Sequence, residues 1–315
     1  MPLSGYRIEL ISMEERDALF ESYSDRILYE VRADIYGCCI KLLTDQKYVK
    51  ERWEESFYPM GQSVRSHGRL VVLREPGAEM KVMYEPVTKT AFLINVDYYG
   101  WVKSIALSVA GDMMEDAHDI YSVHGACLDV CGRGVCLIAP PGTGKTTHTY
   151  GLLRSGEVRV VADDWFFVRI FGRDVLAFGS EKNFYIRADI AKIWGEYERL
   201  VEGAEFDPAG RAVVNVRWIV GKGRVIPMTT MRTVILLKRD PEDPEVVRRL
   251  MPEEALEWLV DRGFCNPHLL VRNEYKLRKR VRFFKELLNR AKTYMVNTVR
   301  PPLETNMLIR DVVGI

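Results

Sequence analysis

The sequence has almost no excess charge of either sign. Its 45 Lys and Arg stand against 44 Asp and Glu, a formal net charge of +1. That balance excludes a global electrostatic pull toward nucleic acid or an anionic membrane surface. No apolar run approaches the ~20 residues that a spanning helix needs. The start, Met1-Pro2-Leu3-Ser4-Gly5, lacks the basic-then-apolar form of a secretory leader. These absences lead to the expectation of a cytoplasmic chain with no membrane partner. Cysteine is sparse, at six residues. Cys127, Cys131 and Cys136 do not have zinc-knuckle spacing, and Cys38-Cys39 and Cys265 stand apart, so buried reduced thiols are expected rather than a metal set. Internal repeats and low-complexity stretches are also missing. What remains is a globular composition, 47% hydrophobic and 28% charged over 315 residues. Such a chain can bury one large core or two smaller ones.

The chemistry concentrates between His124 and Arg169. Val135 to Ala139 is an apolar run that reads as a buried strand, and a helix can open at Thr146. Between them, Ala139-Pro140-Pro141-Gly142-Thr143-Gly144-Lys145-Thr146 fits G-x-x-x-x-G-K-[ST], with Ala in place of the first Gly. Gly142 and Gly144 let the backbone approach an anion without side-chain obstruction. The turn Pro141 to Thr147, through the backbone N–H groups from Gly142 onward, and the helix N-terminus suit phosphate oxygens. Lys145 adds a point charge, and Thr146 offers a hydroxyl to Mg²⁺.

A second apolar strand, Val158 to Ala162, ends in Asp163-Asp164. Adjacent carboxylates on a strand point opposite ways, so one can face a metal and the other an attacking hydroxyl. His124-Gly125 lies on a strand expected over Ile120 to Val130. His124 reads either as a structural histidine or as a group near the phosphates. Glu181 is a candidate second metal ligand and Arg187 a candidate clamp on a transferred phosphoryl group. A surface ion pair is the plain alternative for both. Lys182 is a weaker candidate.

The order His-Gly, strand, glycine-rich turn, helix, strand ending in Val161-Ala162-Asp163-Asp164 resembles the HPr kinase/phosphorylase family, whose core is shared with phosphoenolpyruvate carboxykinases. Weaker similarity runs through Glu181 to Arg187. The resemblance covers about the C-terminal two thirds, and its specific part is His124–Asp164. It implies an α/β phosphate-loop nucleotide-binding core of the HPr kinase/phosphoenolpyruvate carboxykinase type, over residues 119–315. It implies a kinase that uses Mg²⁺ and ATP, or another nucleotide or pyrophosphate donor, to phosphorylate a hydroxyl acceptor, small molecule or seryl protein. Asp163 is then the base, Asp164 and Thr146 the metal ligands, and Lys145, His124 and Arg187 the other catalytic groups. The loop begins Ala-Pro-Pro where HPr kinases have Gly-x-Ser, which implies a divergent member. The alternatives are a nucleotide-dependent switch without phosphotransfer and a phosphoenolpyruvate carboxykinase-like enzyme.

Residues 1–118 read as an N-terminal α+β module with short strands, closed by a linking helix over Tyr99 to His118. This module suits oligomer contact or substrate selection. Beyond the central stretch, the pattern predicts a helix over Ala188 to Leu200 and a strand over Val213 to Val220. The basic turn Gly221-Lys222-Gly223-Arg224 is available to phosphate or to solvent. The Thr233 to Leu237 run reads as a central strand, Pro252 to Asp261 and Tyr275 to Ala291 as helices, and Tyr294 to Val299 as a last core strand. The cations of the Tyr275–Ala291 helix form a solvated face or, as a second option, an RNA-binding face.

Overall fold

The computed structural model describes residues 7–208, 210–265 and 270–315; the pentapeptide Met1–Gly5 lies outside them. The chain is of mixed α/β class and divides into two compact units. Among the described residues, one comprises 7–120 with Ser180–Lys182 and 270–277, and the other Tyr121–Gly179, 183–208, 210–265 and Arg278–Ile315.

The first unit contains β1 (Ile8–Leu10), α1 (Met13–Tyr23), β2 (Tyr29–Ile35), β3 (Cys38–Thr44), α2 (Lys47–Ser56), β4 (Tyr58–Pro59), β5 (Gly68–Leu73), β6 (Lys81–Glu85), β7 (Thr90–Ile94) and α3 (Tyr99–His118). Its sheet runs β1-β6-β7-β5-β3-β2-β4, with parallel and antiparallel pairs mixed. Ser12 and Glu15 exchange bonds in a capping box that starts α1. On one face Leu19 and Phe20 of α1 pack on Val71, Leu73, Phe92 and Ile94. On the other lies α3. A Cβ on Gly68 would sit 2.6 Å from Val109 Cγ1, so glycine is what lets helix and sheet approach this closely. The helix expected as a linker is therefore an integral layer of this unit, and 14 of its residues are buried. Among those are Lys103, Asp112 and Glu115. Each buried charge is matched: Lys103 meets Glu181 at 2.7 Å, Asp112 accepts from Tyr84 at 2.8 Å and from Lys89 at 2.6 Å, and Glu115 lies 3.5 Å from the Lys276 ammonium.

The second unit contains β8 (Ile120–His124), β9 (Ala126–Val130), β10 (Arg133–Ile138), α4 (Lys145–Leu153), β11 (Val158–Ala162), β12 (Trp165–Phe171), β13 (Asp174–Gly179), β14 (Phe184–Arg187), α5 (Ile190–Ile193), α6 (Glu198–Glu202), β15 (Arg211–Val214), α7 (Arg217–Val220), β16 (Met228–Lys238), β17 (Val247–Leu250), α8 (Pro252–Asp261), α9 (Glu274–Leu288), β18 (Lys292–Asn297) and α10 (Pro302–Val313). Ile120 opens β8 and Glu274–Leu277 open α9, although these residues cluster with the first unit. The main sheet runs β11-β9-β10-β16-β13-β12-β8, with β18 on β16 and β17 on β18. The long β16 pairs with β13 through Met228–Thr230 and, further along, in parallel with both β10 and β18. Its Val234, Ile235, Leu236 and Leu237 are fully buried. Each such side chain contributes about 1.5–3 kcal/mol of transfer free energy.

Four expectations are corrected here. The single strand over Ile120 to Val130 is two strands in different parts of the sheet, broken at Gly125. A Cβ there would lie 2.7 Å from the Leu137 carbonyl oxygen, so the crossing admits only glycine. The helix over Ala188 to Leu200 is α5, a 3₁₀ turn at Gly195–Tyr197 and α6, because Trp194 is extended. Beyond Val214 the expected strand becomes α7, with Asn215 Oδ1 accepting from the Arg217 N–H at 3.2 Å. Finally, α9 is not simply a solvated basic face. Lys276 pairs with Asp112 at 3.0 Å and with Asp116, while Arg280 is buried and donates to the Cys265 and Ser122 carbonyls.

Candidate functional site

Strand β10 ends at Ile138, and the chain turns through Ala139–Gly144 into α4. Gly142 and Gly144 both take left-handed backbone angles, φ +81° and +92°. L-residues with a Cβ reach that region only at a cost. The turn is closed by Thr143, whose hydroxyl donates to the Pro140 carbonyl at 2.7 Å and whose N–H donates to it at 3.3 Å. Space is open in front of Gly142, where an added Cβ would meet nothing within 4 Å. Pro141 and Gly142 are exposed, and Gly144 to Thr147 half-buried. The first amides of α4 therefore lie at an accessible helix N-terminus, with the partial positive charge that such termini carry.

The carboxylate pair follows β11. Asp163 is buried at 2% exposure, whereas the Asp164 side chain is 39% exposed. The alternation of a strand explains the split. Asp164 is the meeting point of the site. Lys145 Nζ ion-pairs with its Oδ1 and also donates to the Asp163 carbonyl at 3.1 Å. His124 Nε2 lies 3.3 Å from the same Oδ1. The Gly125 N–H donates to the Asp164 carbonyl at 2.9 Å, which ties the β8 end to the β11 end. Trp165 and Phe264 flank the His124 ring, each with its centroid 6.3 Å away. Beneath the pair, Tyr150 is fully buried, and burial, with the Asp163 charge second, holds its phenol pKa well above the ordinary value.

The structure thus brings Lys145, Asp163, Asp164 and His124 together, with Thr146 one residue along α4. Glu181 and Arg187 have partners of their own. Glu181 belongs to the first unit, where it forms a buried ion pair with Lys103. Arg187 is the exposed last residue of β14, a strand paired with β15, and it meets Asp189 at 3.9 Å. Lys182, in the first unit, donates to the Glu54 carbonyl at 2.9 Å. Gly221 to Gly223 of the basic turn are exposed, and Arg224 is half-buried. Its guanidinium donates to the carbonyls of Leu153, at 2.7 Å, and of Ser155 and Val158, which tether the C-terminal end of α4.

Two neighbours of the turn had no sequence signal beyond position. His148 is 2% exposed, and a Cβ on Gly144 would fall 3.1 Å from its ring. Its place four residues after Gly144, one helical turn on, could have marked it. Burial, with the Arg239 charge second, lowers its pKa to about 4. Arg239 follows the C-terminal end of β16, which runs parallel to β10, and donates through Nε to the Thr298 carbonyl at 3.2 Å.

The Thr146 hydroxyl and the Asp164 carboxylate are hard oxygen donors, a set that suits Mg²⁺ rather than a soft metal. Among the described residues no three His, Cys, Asp or Glu converge to hold a metal unaided, and no helix is long and apolar enough to cross a membrane. No protein-family model matches the chain, and no curated protein matches it.

Proposed function

We propose that this protein is a phosphotransferase that moves the terminal phosphoryl group of a nucleotide, ATP in the first instance, to a hydroxyl acceptor. The observation that carries the reading is the convergence of Lys145 and His124 on Asp164, beside a turn with two left-handed glycines that opens a helix. Such a turn offers backbone N–H groups to phosphate oxygens, and Lys145 adds the charge that phosphoryl transfer needs. Thr146 is the residue that would hold Mg²⁺, which neutralises phosphate charge when bound. The fit is to a metal that keeps waters and phosphates as its remaining ligands.

Lys145 is engaged by Asp164. A nucleotide phosphate competes for that ammonium and releases the carboxylate. Asp164 is the member of the pair open to an acceptor, and His124 stands beside it to orient or share the proton. Asp163, buried, is assigned a positioning role. This reading gives Asp164 the base role that the resemblance implied for Asp163.

The test is a nucleotide-binding titration paired with a search for new phosphorylated products among metabolites incubated with labelled ATP. Lys145→Ala should abolish both binding and transfer. Asp164→Asn should leave nucleotide affinity equal or a few-fold tighter, because Lys145 loses its competitor, while transfer falls by 10²-fold or more. An Asp164→Asn variant with unchanged transfer would remove the base assignment. A wild-type chain that binds no nucleotide would remove the whole reading.

A further inference from the structure

The end of the sheet remote from Lys145 carries a second concentration of charge. Strand β10 begins at Arg133 and leads away from it to the glycine turn. β18 begins at Lys292, which pairs with Thr233 of β16. At this starting edge of three parallel strands lies a cleft of about 550 Å³, a size common for small-ligand sites. Its walls carry Arg133, Arg232, Arg249, Arg290 and Lys292, and its lining contains no carboxylate.

Two of the five cations are neutralised from outside the lining. Arg232 pairs with Asp174 at 3.0 Å, and Arg290 pairs with Glu286. Arg133, Arg249 and Lys292 have no carboxylate within ion-pair distance among the described residues. They cannot be ascribed to a generally basic surface, because the whole chain carries a formal net charge of only +1. Gathering like charges around one concavity is electrostatically unfavourable until an anion enters. Arginine predominates, and its planar fork of N–H donors matches phosphate oxygens in pairs. Tyr294 adds an aromatic ring to the lining. Its neighbour across the β17–β18 pair is Arg249, so ring and guanidinium belong to one register position.

We propose that this cleft is a binding site for a small polyphosphate anion, either free or as the phosphate chain of a nucleotide, separate from the glycine turn at the opposite end of β10. The three cations without a carboxylate partner supply the charge, and the cleft's size limits the ligand to a small molecule.

The experiment uses the full chain carrying Lys145→Ala, so that the turn contributes nothing. Sodium tripolyphosphate and ATP are titrated separately by calorimetry at fixed, low salt. Tripolyphosphate should bind. Arg133→Ala with Arg249→Ala should weaken it tenfold or more, while Arg159→Ala, an exposed arginine on β11 outside the cleft, should leave it unchanged. ATP binding as tightly as tripolyphosphate or tighter would assign the source as a nucleotide; weaker ATP binding would assign a free polyphosphate. Absence of binding, or equal affinity in the double variant, would overturn the proposal. Binding of a single-stranded RNA dodecamer but of neither small anion would overturn it in favour of a nucleic-acid face. Because Lys145 is absent throughout, these outcomes do not depend on whether the turn binds nucleotide.

Discussion

His148 should make the protein acid-sensitive, and the size of the effect follows from its surroundings. The ring is 2% exposed, packed against Gly144, and its Nδ1 is buried with no hydrogen-bond partner among the described residues. Burial first, and Arg239 second, lower its pKa from 6.5 to about 4. The unfolded chain therefore binds more protons than the folded one between those two values. Stability must then rise with pH across that window and be lost as pH falls through it. At ~1.4 kcal/mol per pKa unit the full contribution is about 3 kcal/mol, of which roughly 2 kcal/mol is lost between pH 7.5 and pH 5. Two measurements check this. The chain has five histidines, so proton NMR of the imidazole signals, with His148→Leu identifying the relevant one, should show a ring still neutral at pH 5. Urea unfolding of the wild type and of His148→Leu at both pH values should give a smaller pH dependence in the variant, by roughly 2 kcal/mol, whatever its absolute stability. A His148 signal that titrates near pH 6.5, or equal pH dependence in the two proteins, would refute the reasoning.

Further outcomes are expected elsewhere. Gly125→Ala puts a Cβ 2.7 Å from the Leu137 carbonyl oxygen; it should cost about 1–3 kcal/mol and reduce any Lys145-dependent activity, as read by denaturation and by the transfer assay. Glu181→Gln leaves the Lys103 ammonium buried without its carboxylate; loss of about 3–5 kcal/mol is expected by chemical denaturation, and a neutral effect would show that water replaces the partner. Arg224→Ala removes donors from three carbonyls at and just after the end of α4; hydrogen exchange should rise in Leu153–Val158 while Lys145-dependent binding is retained.

Periodicity and punctuation in the sequence carry much of the local structure. The runs at Val158–Ala162, Tyr99–His118 and Pro252–Asp261 match β11, α3 and α8 residue for residue. Hydrophobic spacing, a proline at the start of α8 and left-handed termini are local causes, so they can be read locally. The Gly142–Thr146 turn was legible for the same reason: glycines at fixed spacing let the backbone take left-handed angles there.

Long-range packing decided the rest. Nothing in the run Ile120 to Val130 says that it splits at Gly125, since the obstacle is the carbonyl of Leu137, supplied by another strand. The charges inside α3 look like a solvent stripe until Glu181, Lys89 and Lys276 arrive from far along the chain to neutralise them. For the same reason Glu181 cannot be assigned from its neighbours in sequence. The split in exposure between Asp163 and Asp164, the approach of His124 to one carboxylate, and the burial of His148 under Gly144 are also three-dimensional facts. A residue's type and spacing determine which chemistry it can offer. Which groups share a site, and which are spent on holding the fold, depends on desolvation and proximity, and those exist only once distant segments have packed.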